Sequence, residues 1–276
     1  MFELPECITL VRQMNSALKG REITNGNLGN SPHKFVWYKQ SEDDFARLIK
    51  GKTIGESYVQ GRWIIAPIEP GYVLVIGECG GKVLFHETGE KLPKKYHLSI
   101  TFVDGSYLTI TTQMWGAMEL YVEGEELERD YIKGMRTTPV ETGFTYEYFD
   151  GLIEEFGSEK KRSAKSLLTQ EQIIPGLGNA IAQDILYQAK LHPKHPIGDL
   201  DDGQRQRLYA AIVGTVQEAI EKGGRYDEYD LFGNKGGYVR IMDKNATGKL
   251  CIRCGGVVEK IQYLGGACYL CPTCQL

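Results

Sequence analysis

The chain lacks a strong excess of either charge: 32 Lys and Arg stand against 36 Asp and Glu, for a net charge of −4 and a pI of about 5.8. That balance argues against bulk, sequence-independent attraction to a nucleic-acid backbone, which comes mainly from Lys and Arg neutralising phosphates. No apolar run approaches the roughly 20 residues of a membrane-spanning helix, and no secretory signal is read at the start. A soluble, cytoplasmic protein with no membrane partner is therefore expected. Histidine is scarce, at five. The close pair in His192-Pro193-Lys194-His195-Pro196 reads as a rigid proline loop rather than a metal site.

Cysteine is sparse except at one place. Cys7 and Cys79 are isolated, whereas the last 26 residues hold Cys251-x-x-Cys254 and, sixteen residues on, Cys271-x-x-Cys274. Two residues between cysteines let both thiolates of a knuckle face one ion, and two knuckles joined by a short hairpin complete a tetrahedral four-sulfur shell. One structural Zn²⁺ per chain is expected there. Paired disulfides are the other reading of four such cysteines, and an intracellular compartment weighs against them. Cys268 also stands three residues before Cys271, so register alone allows a Cys268/Cys271 knuckle. Cys271/Cys274 is preferred because it leaves the longer hairpin to Ile261–Tyr269. Four thiolates leave no open coordination position, so such a metal holds a fold and performs no chemistry.

Charge is unevenly placed. Acid concentrates in 119–130, while Lys160, Lys161, Arg162 and Lys165 cluster, and the tail carries Lys235, Arg240, Lys244, Lys249, Arg253 and Lys260. A mildly acidic protein can still present one basic face.

Periodicity divides the rest. Ile8, Val11, Met14 and Leu18 recur at helical spacing, with Pro5 in the first turn and Gly20 as a stop. From Arg21 to Tyr121 the pattern is short β runs at 35–38, 58–66, 72–76, 83–86, and 97–102 paired with 107–112 around Asp104-Gly105; a helix at 43–50 interrupts them. Helical spacing then governs 146–156, 161–174, 180–190 and 204–222. The expected fold class is α+β and multidomain: a β-rich domain at 1–130, a helical domain at 131–234 and a zinc-binding tail at 235–276. Between two of those helices lies Pro175-Gly176-Leu177-Gly178-Asn179. Glycines let backbone approach a ligand, and amides at a helix start favour an anion, so Gly178 and Asn179 are candidates for gripping a DNA phosphate; a plain corner between helices explains the same residues.

Glu3-Leu4-Pro5-Glu6 ahead of an amphipathic helix, the Pro-Gly-Leu-Gly-Asn turn, Tyr238-Val239-Arg240 before the finger and the Cys271-Pro272-Thr273-Cys274-Gln275 ending occur here in one order. The combination resembles the formamidopyrimidine-DNA glycosylase and endonuclease VIII family across essentially the whole chain. The resemblance implies an N-terminal β-sandwich, a helix–two-turn–helix domain and a C-terminal β-hairpin zinc finger that form a cleft for damaged double-stranded DNA, in a monomer associated with the nucleoid. It further implies that Glu3 is the catalytic acid, Glu6 a second acidic residue of the site, Asn179 the phosphate-binding asparagine, and Lys165 and Lys161 part of the basic stretch before it.

Departures from the family pattern are equally specific. Where family members present an N-terminal proline whose secondary amine attacks the sugar carbon, this chain has Phe2; a bulky second residue is expected to keep Met1, which displaces the free amine by roughly 3.5 Å along the chain. The family's hairpin lysine is replaced in Gly61-Arg62-Trp63, and arginine keeps a charge but gives up no proton. The phosphate-clamping arginine of the hairpin falls on Gly266, the inserted methionine near Cys79, and the inserted arginine and phenylalanine near Met114-Trp115. Met114 and Trp115 retain the apolar bulk that wedges a base step; a packed strand end is the alternative reading. Glu3 and Glu6 are placed to activate water or to hold developing charge; a helix start favoured by the macrodipole also accounts for Glu6. The expected function is a base-excision-repair glycosylase that hydrolyses the N-glycosidic bond of a flipped damaged base, with strand cleavage the step most undermined by Phe2. The alternative is a catalytically inactive protein that binds lesions or DNA structures.

Overall fold

The computed structural model describes residues 1–29, 34–158 and 162–276. The chain begins with α1 (Leu4–Ala17), whose N-cap is Glu3; the Glu6 carboxylate reaches back to accept the Glu3 N–H at 2.9 Å, closing a capping box. Leu4, Cys7, Leu10, Val11 and Met14 form the buried stripe of this helix. There follow β1 (Ile23–Asn27), β2 (Val36–Trp37), α2 (Glu42–Ile49), β3 (Thr53–Ile54), β4 (Tyr58–Gln60), β5 (Trp63–Glu69), β6 (Tyr72–Gly77), β7 (Gly81–His86), β8 (Leu98–Phe102), β9 (Tyr107–Thr112) and β10 (Gly116–Val122).

These strands build two sheets. One has the order β1-β8-β9-β7; the other runs β2-β10-β6-β5-β3, with β4 also paired to β5. Alternate residues of β8 and β9 (Leu98, Ile100, Phe102; Leu108, Ile110) meet Ile64, Ala66, Ile68, Leu74 and Ile76 of the other sheet in one apolar core, the inner layer of a β-sandwich. The 58–66 run, expected as one strand, is instead the β4–β5 hairpin. Gly61 takes φ +60° at the turn, so Tyr58 pairs with Ile65 and Gln60 with Trp63.

The helical part comprises α3 (Tyr146–Gly157), α4 (Ala164–Thr169), α5 (Asn179–Ala189) and α6 (Asp202–Glu221), and the tail carries the hairpin β11 (Glu259–Tyr263) and β12 (Gly266–Leu270). The helix expected over 161–174 is confined to α4, because Ser163 caps its start and Glu171 and Gln172 adopt φ of +53° and +51° just after its end. Lys161 lies outside the described residues. By contact the chain forms two compact units, 1–134 with 220–238 and 135–219 with 239–276. The return of 220–238 to the first unit has a physical cause: Leu231 joins the sandwich core, its N–H is taken by Gln13 Oε1 at 2.9 Å, and Arg225 is buried against Glu6. Among the described residues no helix is long and apolar enough to cross a membrane.

Candidate active site and nucleic-acid interface

The N-terminus is built around a buried arginine. Arg225, 4% exposed, donates through Nη2 to Glu6 Oε2 (2.9 Å) and to the Met1 carbonyl (2.8 Å), and its own N–H reaches Glu6 Oε1 at 2.9 Å. Glu3 Oε1 stands 3.9 Å from Arg225 Nη1. Burial works against the guanidinium charge, but Glu6 and Glu3 overcome it and hold its pKa above the usual arginine value. Glu6 is thereby committed to pairing and capping, whereas the buried Glu3 faces the arginine at longer range. Glu228 completes the group: it accepts from the Met1 amine at 3.2 Å, and burial pushes its carboxyl up against the opposing pull of that amine and Arg225.

Phe2, 3% exposed, is packed in the sandwich core, and its backbone N–H donates to the Cys79 carbonyl at 2.8 Å. The nitrogen at the place of the family's proline is thus an amide, without the basic lone pair that attack on a sugar carbon requires. Cys79 is itself buried, so it is no protruding probe; its role is to receive that amide. Arg62, the lysine replacement, is also occupied: Nη2 donates to Glu78 Oε1 at 2.7 Å. Met114 and Trp115 do project, at 65% and 38% exposure, with Trp115 stacked on Trp37 at 5.4 Å between centroids.

In the second unit Gly178 is the N-cap of α5 and Asn179 its exposed first residue. Gly176, at φ +87°, supplies the left-handed step that turns the chain into this helix. Helix α5 is bonded to the tail hairpin: Gln183 Nε2 donates to the Ala267 carbonyl (3.0 Å) and Gln183 Oε1 accepts from Tyr269 N–H (3.1 Å), while Asp184 accepts the N–H groups of Ile241 and Met242. A Cβ at Gly266 would lie 3.5 Å from Asn179 Oδ1, so the hairpin position where the resemblance expects an arginine sits beside the turn asparagine. Lys165, expected on the DNA surface, is 1% exposed, and its Nζ donates to the Tyr263 carbonyl at 2.6 Å. It braces α4 against the hairpin instead of meeting phosphate.

Cys251, Cys254, Cys271 and Cys274 bring their sulfurs within 4.8 Å of one another. The Cys254–Cys271 and Cys251–Cys274 separations are 3.5 and 3.9 Å, far beyond a disulfide bond and close to the ~3.8 Å edge of a tetrahedron with 2.3 Å zinc–sulfur bonds. Cys268 is buried in β12, paired with Ile261, and is not in the group. The arrangement is compatible with a zinc finger.

Arg225, Glu228, Gln183, Asp184 and Trp37 escaped the sequence reading. Arg225 and Glu228 reach their partners over more than 200 residues, and nothing periodic marks them; the Gly223-Gly224 pair just ahead of Arg225 was the available signal of a backbone that bends to meet something. A family model described as the formamidopyrimidine-DNA glycosylase N-terminal domain matches residues 1–115, and one described as the formamidopyrimidine-DNA glycosylase H2TH domain matches 138–229. The formamidopyrimidine-DNA glycosylase of an Exiguobacterium species is 30% identical over 287 residues, spanning 100% of this chain and 99% of the relative. That of Bacillus cereus is 26% identical over 280 residues with the same coverage. The fold is similar to that of Lactococcus lactis Fpg in complex with DNA containing an abasic site, with a TM-score of 0.85 and 25% identity over 99% of each chain. It is similar also to the wild-type Lactococcus lactis protein bound to DNA containing an oxidized pyrimidine, at a TM-score of 0.84 and 25% identity. With both family domains matched in order and relatives aligned from end to end, the chain belongs to the formamidopyrimidine-DNA glycosylase family.

Proposed function

We propose that this protein is a base-excision-repair glycosylase that binds damaged double-stranded DNA as a monomer in the cytoplasm, flips the damaged base, and hydrolyses its N-glycosidic bond with water rather than through an imine. The observation that carries the reading is the pair of fates at the N-terminus: the Phe2 nitrogen is an amide held by Cys79, while the Glu3 carboxylate is retained beside Arg225. Glu3 takes a proton from water as the water oxygen bonds to the sugar carbon; the base departs with the electrons of the broken C–N bond and receives that proton from Glu3 through solvent. Glu6 and Arg225 fix the helix start that presents Glu3. Asn179 and the Gly178 cap hold a phosphate, Met114 and Trp115 fill the space left by the flipped base, and Arg62 holds positive charge near the backbone without moving a proton.

Single-turnover reactions on duplexes carrying different lesions test this, with base release and strand cleavage scored separately and borohydride added in parallel. Base release that yields strand breaks only after hot alkali, with no trapped adduct, is the expected result. Efficient trapping would restore the imine route, and tight binding without release of any base would leave a binding protein.

We also infer that the four cysteines hold one structural Zn²⁺. The hairpin offers a second test of the interface. Gly266 has no left-handed φ, and a Cβ there meets only ordinary contacts, so the backbone admits Gly266→Arg. One added phosphate contact should tighten duplex binding by about 1.5–3 kcal/mol and steepen the dependence of log affinity on log salt by about one. An unchanged salt slope in a titration series would show that Asn179 and Gly266 do not face the DNA backbone.

A further inference from the structure

Every tryptophan of the chain lines one cavity. Trp37, Trp63 and Trp115, joined by Tyr131, wall a space of about 460 Å³ in the first unit, within the ~300–1,000 Å³ of small-ligand sites. Trp37 and Trp115 stack with 12° between their planes, Phe35 lies 4.5 Å behind Trp115, and the 43% exposure of Trp37 leaves ring surface open. Trp63 forms the buried floor; a Cβ at Gly77 would overlap its ring, so the glycine of β6 is what makes room for it.

The charges around the cavity are already matched. Arg129 lies over the Trp63 ring at 4.0 Å and donates to Glu119 at 2.5 Å, and Arg62 pairs with Glu78 at 2.7 Å. A cation would find the Trp63 face taken and both carboxylates engaged; an anion would find both guanidiniums engaged. What remains is aromatic surface; the Trp63 Nε1–H and Arg62 Nε–H, shielded from solvent, have no acceptor among the described residues. A neutral flat ring fits this set. Two lining residues, Glu78 and Tyr131, also hold left-handed backbone at φ +51° and +69°, a conformation found preferentially where a side chain must be aimed.

We propose that this cavity is a second, non-catalytic subsite that takes an unpaired nucleobase of the bound DNA other than the one excised, stacking it on Trp37. The inference rests on the DNA-binding reading above. Arg62 and Trp115 line the cavity whereas Glu3, Glu6 and Met1 do not, so it adjoins the DNA contacts proposed above without including the carboxylate that activates water.

Because all the tryptophans are here, intrinsic emission reports on this cavity alone. Two duplexes separate the possibilities: one with a stable abasic analogue opposite a normal base, and one with abasic analogues in both strands, with binding followed by anisotropy of a labelled strand. The expected result is that both bind, that the duplex with an unpaired base binds on the order of tenfold more tightly, and that it quenches tryptophan emission beyond the quenching both share through Trp115. Trp37→Ala should erase that preference and Trp37→Phe retain most of it. Equal quenching by both duplexes would mean that Trp115 merely wedges the helix, and would overturn the subsite while leaving DNA binding intact. A preference that survives in Trp37→Ala overturns it too. No anisotropy change with either duplex would remove the DNA reading itself and the subsite with it.

Discussion

Glu3→Gln should slow base release under single-turnover conditions by about 10²–10⁴-fold, the scale of general acid–base catalysis, while duplex affinity stays within about threefold. The amide has the size of the carboxylate and keeps an oxygen toward Arg225 and the start of α1, so the fold has little reason to change. What it cannot do is accept a proton from water. The neighbouring carboxylate cannot substitute, because both Glu6 oxygens are engaged by Arg225 and by the N–H groups of Glu3 and Arg225. Glu6→Gln therefore has a different signature. It removes the closest charge from a buried pair and leaves Arg225 only the longer contacts to Glu3 and Glu228, a loss bounded by the about 3–5 kcal/mol seen where buried pairs are broken, so it appears first as a lower melting temperature. Release by Glu3→Gln at more than half the parent rate would remove Glu3 from the chemistry.

How far the sequence announced this arrangement depends on whether the signal was local. The start of α1 around Pro5, the Asp104-Gly105 turn and the cysteine knuckles involve residues within a few positions of each other, and spacing alone specifies them. The β4–β5 hairpin was hidden because Tyr58–Ala66 is apolar enough to read as one strand, and only the positive φ of Gly61 breaks it. Lys165 misled for a related reason: a lysine in a basic run reads as a surface charge, but the hairpin carbonyl that captures it is 98 residues away. The same distance problem hid Arg225, whose partners lie about 220 residues earlier, and the convergence of three tryptophans spread from 37 to 115. Phe2 was visible as a departure in the sequence, yet its amide bond to Cys79 belongs to the fold alone. That bond is what turns a missing proline into a chemical statement.

The metal should show the largest effect on stability. Apart from Tyr187, Met242 and Val258, the buried residues of the tail cluster are Cys251 and Cys271 themselves, so the ligands make up much of the core they would stabilise. Structural zinc contributes about 10–16 kcal/mol in small domains of this kind, far more than three apolar side chains can replace. One zinc per chain is expected by elemental analysis. Cys271→Ser should abolish it, whereas Cys268→Ser, altering a residue of β12 outside the sulfur group, should leave zinc content unchanged. Chelation or Cys271→Ser should then release the hairpin, and with it the hydrogen bonds from Gln183 and Lys165 and the surface beside Asn179, so DNA affinity falls steeply. The tryptophans give an internal control, because all three lie in the other compact unit. Their emission should stay constant while hydrogen exchange accelerates across 248–276, since a tail that loses its metal unfolds locally rather than with the sandwich. Less than half an equivalent of zinc in metal-replete protein would show that these four sulfurs are held together by packing alone, and full zinc retention by Cys271→Ser would show that Cys271 is not one of the ligands.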